Sequence, residues 1–299
     1  MTTHRDGLLI VDKSAGMTSF DVVRRVRKLA NTRKVGHAGT LDPDATGVLP
    51  VAIGRCTKLL RFLTIDEKYY GFEMHLGEET DTADSSGEVV RQAGWENLSR
   101  DDLEEVLPRF LGRIDQVPPV YSAIKVDGKR AYELARKGED VVLEPRPVEI
   151  LQVEVDAWNP PVVEMKVRCG PSTYIRALAR DLGRALDSAA HAAKIRRLAV
   201  GPFSLGDAVS LEGLEGQQLD SWLLSPMEMV QSLPTYRLDA ESRRRVGHGQ
   251  FLTVQRDWEV GDYVAARDVD GNLVAVMECI EADGETAQLR PRRVMISEP

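Results

Sequence analysis

The sequence predicts an α+β fold followed by a small β-rich unit at the C-terminus. Three observations lead there. Strand-like and helix-like apolar periodicities both occur along the chain, without the regular βαβ alternation of a doubly wound sheet. The length of 299 residues exceeds an ordinary single domain. Beyond Ser225-Pro226 the chain turns to short alternating segments separated by Asp-Gly turns.

Taken in order, Leu8 to Val11 form a short apolar strand from Gly7, and Asp12 to Gly16 a turn. Thr18 or Ser19 caps a helix whose Val22, Val23, Val26 and Leu29 recur at helical spacing and which ends before Gly36. Leu49 to Ile53 reads as a buried strand, and Tyr69 to Leu76 alternates as a half-buried one does. Leu98 to Leu111 has a helical face of Leu103, Val106, Leu107 and Phe110, broken by Pro118-Pro119. Residues 121–146 are polar and mixed in charge, which predicts an inserted arm. Val148 to Val155 and Val162 to Val167 pair across Asn159-Pro160-Pro161, and helical spacing returns from Tyr174 to Leu186. From about Leu233 come strands near 263–266, 273–280 and 286–289, with turns at Asp270-Gly271 and Asp283-Gly284. The expected division is 1–232 and 233–299.

Hydrophobic residues make up 42% and charged residues 29%, which suits a globular protein with a full core and leaves no long disordered stretch. Cys56, Cys169 and Cys279 are scattered and odd in number, without CxxC or Cys/His spacing, so neither a disulfide framework nor a metal site is expected. That usage suits a reducing cytoplasm, and no apolar run reaches the ~18 residues of a membrane span. The net charge of −8 argues mildly against nucleic acid. Its distribution matters more. Arg24, Arg25, Arg27, Lys28, Arg33 and Lys34 form one basic run; Arg176, Arg180, Arg184, Lys194, Arg196 and Arg197 form another. Each, taken alone, reads first as a solvated helix face.

The densest chemical signal is residues 36–50, where three glycines, two prolines, a histidine and two acids describe a loop of fixed, unusual shape. No Gly-Lys-Ser/Thr follows the glycines, so it is not a phosphate loop. Composition alone leaves Asp42 either a helix cap or a chemical carboxylate.

Gly39-Thr40-Leu41-Asp42-Pro43 with Ala45-Thr46-Gly47-Val48-Leu49-Pro50 resembles the catalytic loop of TruB-type tRNA pseudouridine-55 synthases. Asp12-Lys13 with Gly16-Met17-Thr18-Ser19, Lys68-Tyr69-Tyr70, Val117 to Lys125 with Gly128 to Leu134, and Gly170 with Thr173-Tyr174-Ile175-Arg176 resemble its other motifs, in the family's order over about residues 7–203. The remainder resembles a PUA-like RNA-binding domain. Two positions depart: Ser14 stands where proline is usual, and Asp44 where an apolar residue is usual.

The resemblance implies the pseudouridine-synthase fold, with a mixed, largely antiparallel sheet and flanking helices, and isomerisation of one uridine in the T-arm of tRNA, by a monomer needing no cofactor or metal. It selects Asp42 over Asp44, which is expected to face solvent. Arg176 would pair with Asp42, keeping it ionised and aimed. Tyr70 would stack on the target base and serve a late proton transfer. Tyr174 would pack against the base or loop, and Ile195 would line the uracil pocket. His37 would fill the space left by a flipped base or hold the loop, and Lys13 and the basic runs would contact phosphates. The competing readings are a tRNA-binding or tRNA-folding protein without essential catalysis, and a synthase acting on another RNA. The complete set of Asp42, Tyr70 and Arg176 favours the enzyme.

Overall fold

The computed structural model of the chain describes residues 5–64, 66–126, 128–214 and 219–296. At its centre lies a ten-stranded sheet. The elements that matter for the site are β1 (Gly7–Lys13), α1 (Ser19–Leu29), β2 (Thr46–Ile53), β3 (Lys68–Leu76), α2 (Arg100–Val106), β4 (Gly112–Gln116), β5 (Arg146–Asn159), β6 (Val162–Cys169), α3 (Ile175–Ala185) and β7 (Ala190–Val200). Across the sheet the order is Val209–Ser210, β1, β2, β7, β3, β6, β5, β4. Only Val209–Ser210 with β1, and β2 with β7, run parallel. The sheet is therefore mixed and largely antiparallel, as the resemblance implies.

Local chemistry accounts for the elements. Thr18 caps α1 through a reciprocal pair with Asp21, and Val22, Val23 and Val26 turn into the core. Along β3 every second residue, from Lys68 to Leu76, is buried. The helix expected over 98–111 is shorter: α2 stops at Val106 and continues as a 3₁₀ turn, Leu107–Phe110. Pro108 has no amide to continue the α-helical ladder, and Gly112 at φ +76° turns the chain into β4, a strand the sequence reading lacked. β5 and β6 form the expected hairpin, longer at both ends. Residues 121–146 carry a short hairpin, Lys125–Val126 with Lys129–Arg130, and one helical turn, Ala131–Ala135.

The C-terminal strands form a separate five-stranded sheet in the order Thr235–Arg237, Tyr263–Arg267, Leu273–Ala282, Ala287–Val294, Leu252–Val254. Gly271 and Gly284 occupy positive φ in the two predicted turns. This sheet shares an apolar core with the first: Leu59, Phe62 and Met229 pack with Ala265, Leu273 and Val276. Arg61 donates to the Tyr263 hydroxyl at 2.7 Å across the same seam.

Candidate active site

The loop bearing Asp42 is fastened at both ends. Ser19, at the start of α1, accepts from the Leu41 amide at 2.9 Å and donates to the Leu41 carbonyl at 3.1 Å. The Gly16 amide reaches the Pro43 carbonyl at 3.0 Å. On the other side, Arg197 of β7 donates to the Gly39 carbonyl at 3.0 Å and the Val48 carbonyl at 2.7 Å. Gly47 is required here, since a Cβ at its φ of +102° would overlap the Arg197 carbonyl.

Lys13 does not reach the surface expected of a phosphate contact. Its side chain is fully buried, and its ammonium donates to the carbonyls of Ser14, Met17 and Pro43 at 3.0, 2.8 and 2.9 Å. It braces the loop from beneath. Burial brings this ammonium from 10.5 down to about 8, against the opposing pull of Asp44 and Asp42. Between those values the unfolded chain holds a proton that the folded chain has released, so this group makes stability rise with pH. The slope contributed is at most about 1.4 kcal/mol per pH unit, and it vanishes below about pH 8, where both states are protonated. Lys13→Met is expected to remove that slope in urea unfolding measured from about pH 8 to 10.

α3 carries the counter-charge. Its apolar face is buried, and Arg176 in its first turn is buried with it, 3% exposed. Arg176 reaches Asp42 with two nitrogens, Nε to Oδ2 at 2.9 Å and Nη2 to Oδ1 at 3.3 Å. The first is an ion contact with the N–H pointing off the line, the second an aligned hydrogen bond. Arg176 also donates to the carbonyls of Thr82 at 2.9 Å and Tyr121 at 3.0 Å, and lies 3.6 Å from Asp84. The Asp42 side chain remains 43% exposed. It is thus gripped on one side and open on the other. Asp44 is exposed, as expected.

The open side faces a cavity of about 340 Å³ walled by Thr40, Leu41, Tyr70, Tyr174, Ile195 and Arg197, within the size range of small-ligand sites. A second cavity of about 480 Å³ shares Asp42, Arg176 and Ile195 and extends to Tyr121, Arg130 and Tyr132 of the arm segment. Tyr70 is 9% exposed and sits on β3 directly opposite Arg197 of β7. Burial pushes its phenol upward while Arg197 pulls it down. Tyr174 is held at its backbone by Gln116, which accepts from the amide at 2.9 Å and donates to the carbonyl at 3.2 Å. Its phenol too is pushed up by burial, against the opposing pull of the nearby Ser122 hydroxyl and the Arg176 charge.

So the structure brings Asp42, Tyr70, Arg176, Tyr174 and Ile195 together. His37 stands apart, on the strand Val35–His37, outside both sets of cavity walls. Burial and then Arg197 lower its pKa, and its buried Nδ1 has no hydrogen-bond partner among the described residues. The second basic run is not one solvated helix face, although Arg184 and Lys194 are exposed. Arg176 and Arg197 are buried, Arg184 pairs with Glu79, Arg196 with Asp12 and Lys194 with Glu73, and the last three residues of the run lie on β7 rather than on a helix.

Sequence reasoning missed Asp84, Gln116 and the buried setting of Arg197. Asp84 belongs to a polar turn in which Ala83 adopts φ +58° and the Asp84 carboxylate accepts from the Ser86 amide at 3.0 Å. The Asp/Ser/Gly cluster at 81–87 signals that turn, but nothing in it points towards Arg176. Among the described residues no group of three or more His, Cys, Asp or Glu could hold a metal ion, and no helix is long and apolar enough to cross a membrane.

Comparison with known proteins gives consistent results. Residues 27–175 match the N-terminal domain of the TruB family of pseudouridylate synthases, and residues 176–230 the C-terminal domain of tRNA pseudouridylate synthase B. A protein of Geotalea uraniireducens (strain Rf4) named tRNA pseudouridine synthase B is 42% identical over 282 residues, 91% of each chain. One of the same name from Pseudomonas aeruginosa (strain UCBPP-PA14) is 39% identical over 298 residues, covering 97% of this chain and 96% of the relative. Among solved structures, a chain in the crystal structure of a Cbf5-Nop10-Gar1 complex superposes with a TM-score of 0.77 at 26% identity, over 96% of this chain and 84% of that one.

Proposed function

The chain belongs to the TruB family of pseudouridylate synthases, and from that premise we propose that it converts uridine-55 in the T-arm of tRNA to pseudouridine, with Asp42 as nucleophile. One observation carries the assignment of Asp42: a carboxylate gripped by the buried Arg176 keeps an open side towards a cavity whose wall includes Tyr70.

The reaction breaks the N1–C1′ bond, turns the base and joins C5 to C1′. One proton then passes from C5 to N1, so atoms and electrons balance without oxidant or reductant. Arg176 directs Asp42 towards the bound nucleotide through a charge-assisted contact. Tyr70 faces the base, and Ile195 and Tyr174 exclude water from it. The target uridine enters after leaving its stack, at a few kcal/mol. His37, neutral at physiological pH because burial disfavours its charged form, supports the loop against the flipped-out state.

In this reading residues 1–232 form the catalytic unit, 121–146 an arm over the RNA loop, and 233–299 an RNA-binding unit. The test is site-resolved mapping of pseudouridine in tRNA transcripts treated with the purified protein. Product at position 55 is expected; pseudouridine at another position, or none, refutes the assignment. In this reading the exposed Arg24, Lys28, Arg33 and Lys34 would meet phosphates, Arg24 after leaving Asp21. tRNA affinity should fall with salt, and each of these charges that contacts a phosphate should reduce the log–log slope by about one when replaced by alanine.

A further inference from the structure

Among the described residues Arg197 is the largest fully buried side chain, and no carboxylate pairs with it. Burying a charge without a counter-charge costs several kcal/mol, and two carbonyl contacts offset only part of that. A hydrogen-bonding neutral side chain could hold the carbonyls of Gly39 and Val48 at lower cost. The position therefore uses the charge itself. The remaining edge of the guanidinium carries Nη1, which would lie 3.3 Å from a Cβ at Gly39. Across the strand pair, Arg197 stands in register with Tyr70 and approaches its hydroxyl. The same guanidinium thus touches both the loop that bears Asp42 and the residue facing the base.

We propose that Arg197 is a positioning residue for proton transfer by Tyr70, stabilising the phenolate that forms when this hydroxyl takes part in moving the C5 proton. The inference deepens the reading above and rests on it. After C5 joins C1′, the proton on C5 must leave so that its electron pair restores the C5–C6 double bond. The Tyr70 oxygen can accept that proton only when its own has left or is leaving, while N1 gains a proton. Negative charge develops on a buried oxygen at that moment. A fixed cation in a dry site stabilises such charge far more than water-exposed charge does, without reorganising.

The other charged or titratable groups around Tyr70 are accounted for. Asp42 from the loop and Cys169 from β6 oppose the phenolate, the thiol itself being pushed up to about 11 by burial. Lys68 at the start of β3 and Arg176 of α3 line the same cavity but are committed to backbone carbonyls and to Asp42. Tyr174 is neutral. Arg197 is the one of these cations that the strand register sets directly across from Tyr70.

The test compares Arg197→Gln and Arg197→Lys in single-turnover pseudouridine formation across pH, each with Tyr70 or with a ring-fluorinated, more acidic tyrosine at that position. Arg197→Gln is expected to slow conversion by about 10²-fold at unchanged tRNA affinity and to move the rising limb of the rate profile to higher pH. Fluorination should recover about tenfold of that loss, and Arg197→Lys should keep most of the rate. A uniform loss at every pH, with no recovery on fluorination, overturns the proposal and leaves Arg197 a loop staple. Should Arg197→Gln fail to fold, the fluorinated series in the otherwise unaltered protein decides: a rate profile that ignores phenol acidity overturns it. Failure of the underlying reading looks different, because the unaltered protein would then make no pseudouridine.

Discussion

Asp42→Asn is expected to fold, to bind T-arm RNA as the unaltered protein does, and to form pseudouridine at least about 10⁴-fold more slowly. That corresponds to roughly 5.4 kcal/mol of transition-state stabilisation at about 1.36 kcal/mol per decade. The amide matches the carboxylate in shape but lacks the charge and nucleophilicity. Stability falls, because the buried Arg176 loses its nearer counter-charge, but the fold holds, since the Asp42 side chain is 43% exposed and Asp84 remains 3.6 Å from the guanidinium. Arg176 also keeps its contacts to Thr82 and Tyr121. Asp44→Asn is the matched control: exposed, two positions along the same loop, and expected to keep its rate within about twofold. Normal product from Asp42→Asn, in single-turnover assays with chemical mapping, would sink the assignment.

Arg176→Lys conserves charge and should still be severe. A planar guanidinium reaches Asp42 with two nitrogens and two separate carbonyls at once; an ammonium on a flexible stem cannot reproduce that fork. At least one of the Thr82 and Tyr121 carbonyls then loses a charge-assisted partner, which costs about 1.5–3 kcal/mol for each bond lost. The expected result is a lower urea midpoint at unchanged m-value together with a rate loss of about 10²–10³-fold. Stability loss at full activity would show that Arg176 only joins segments and does not aim Asp42.

Much of this site was legible in the sequence because its signals are local. Gly39-Thr40-Leu41-Asp42-Pro43 is a contiguous run, and the alternation around Tyr70 marks a strand whatever lies beside it. What escaped depends on partners far along the chain. Arg197 sits in a run of three cationic residues in four positions and reads as surface charge, yet β7 threads between β2 and β3 and draws its side chain inward. Lys13 looks equally like a phosphate ligand until Pro43, thirty residues on, is seen to occupy its ammonium. Neither fate follows from periodicity. The α2 boundary was missed for a smaller reason: the apolar spacing runs on past Pro108, but a proline cannot donate the amide that the spacing presumes.

α3 has one more consequence. Its arginines at 176, 180 and 184 hold the Thr82 and Tyr121 carbonyls, the Val117 carbonyl and the Glu79 carboxylate respectively. Segments that are remote in sequence, 79–84 and 117–121, are thereby tied to a single helix. Their backbone amides should consequently exchange with solvent as one cooperative unit, with a common opening free energy set by the docking of α3. The segments bordering the second cavity and the anchor of Asp42 would then share one opening free energy, so that neither loosens alone.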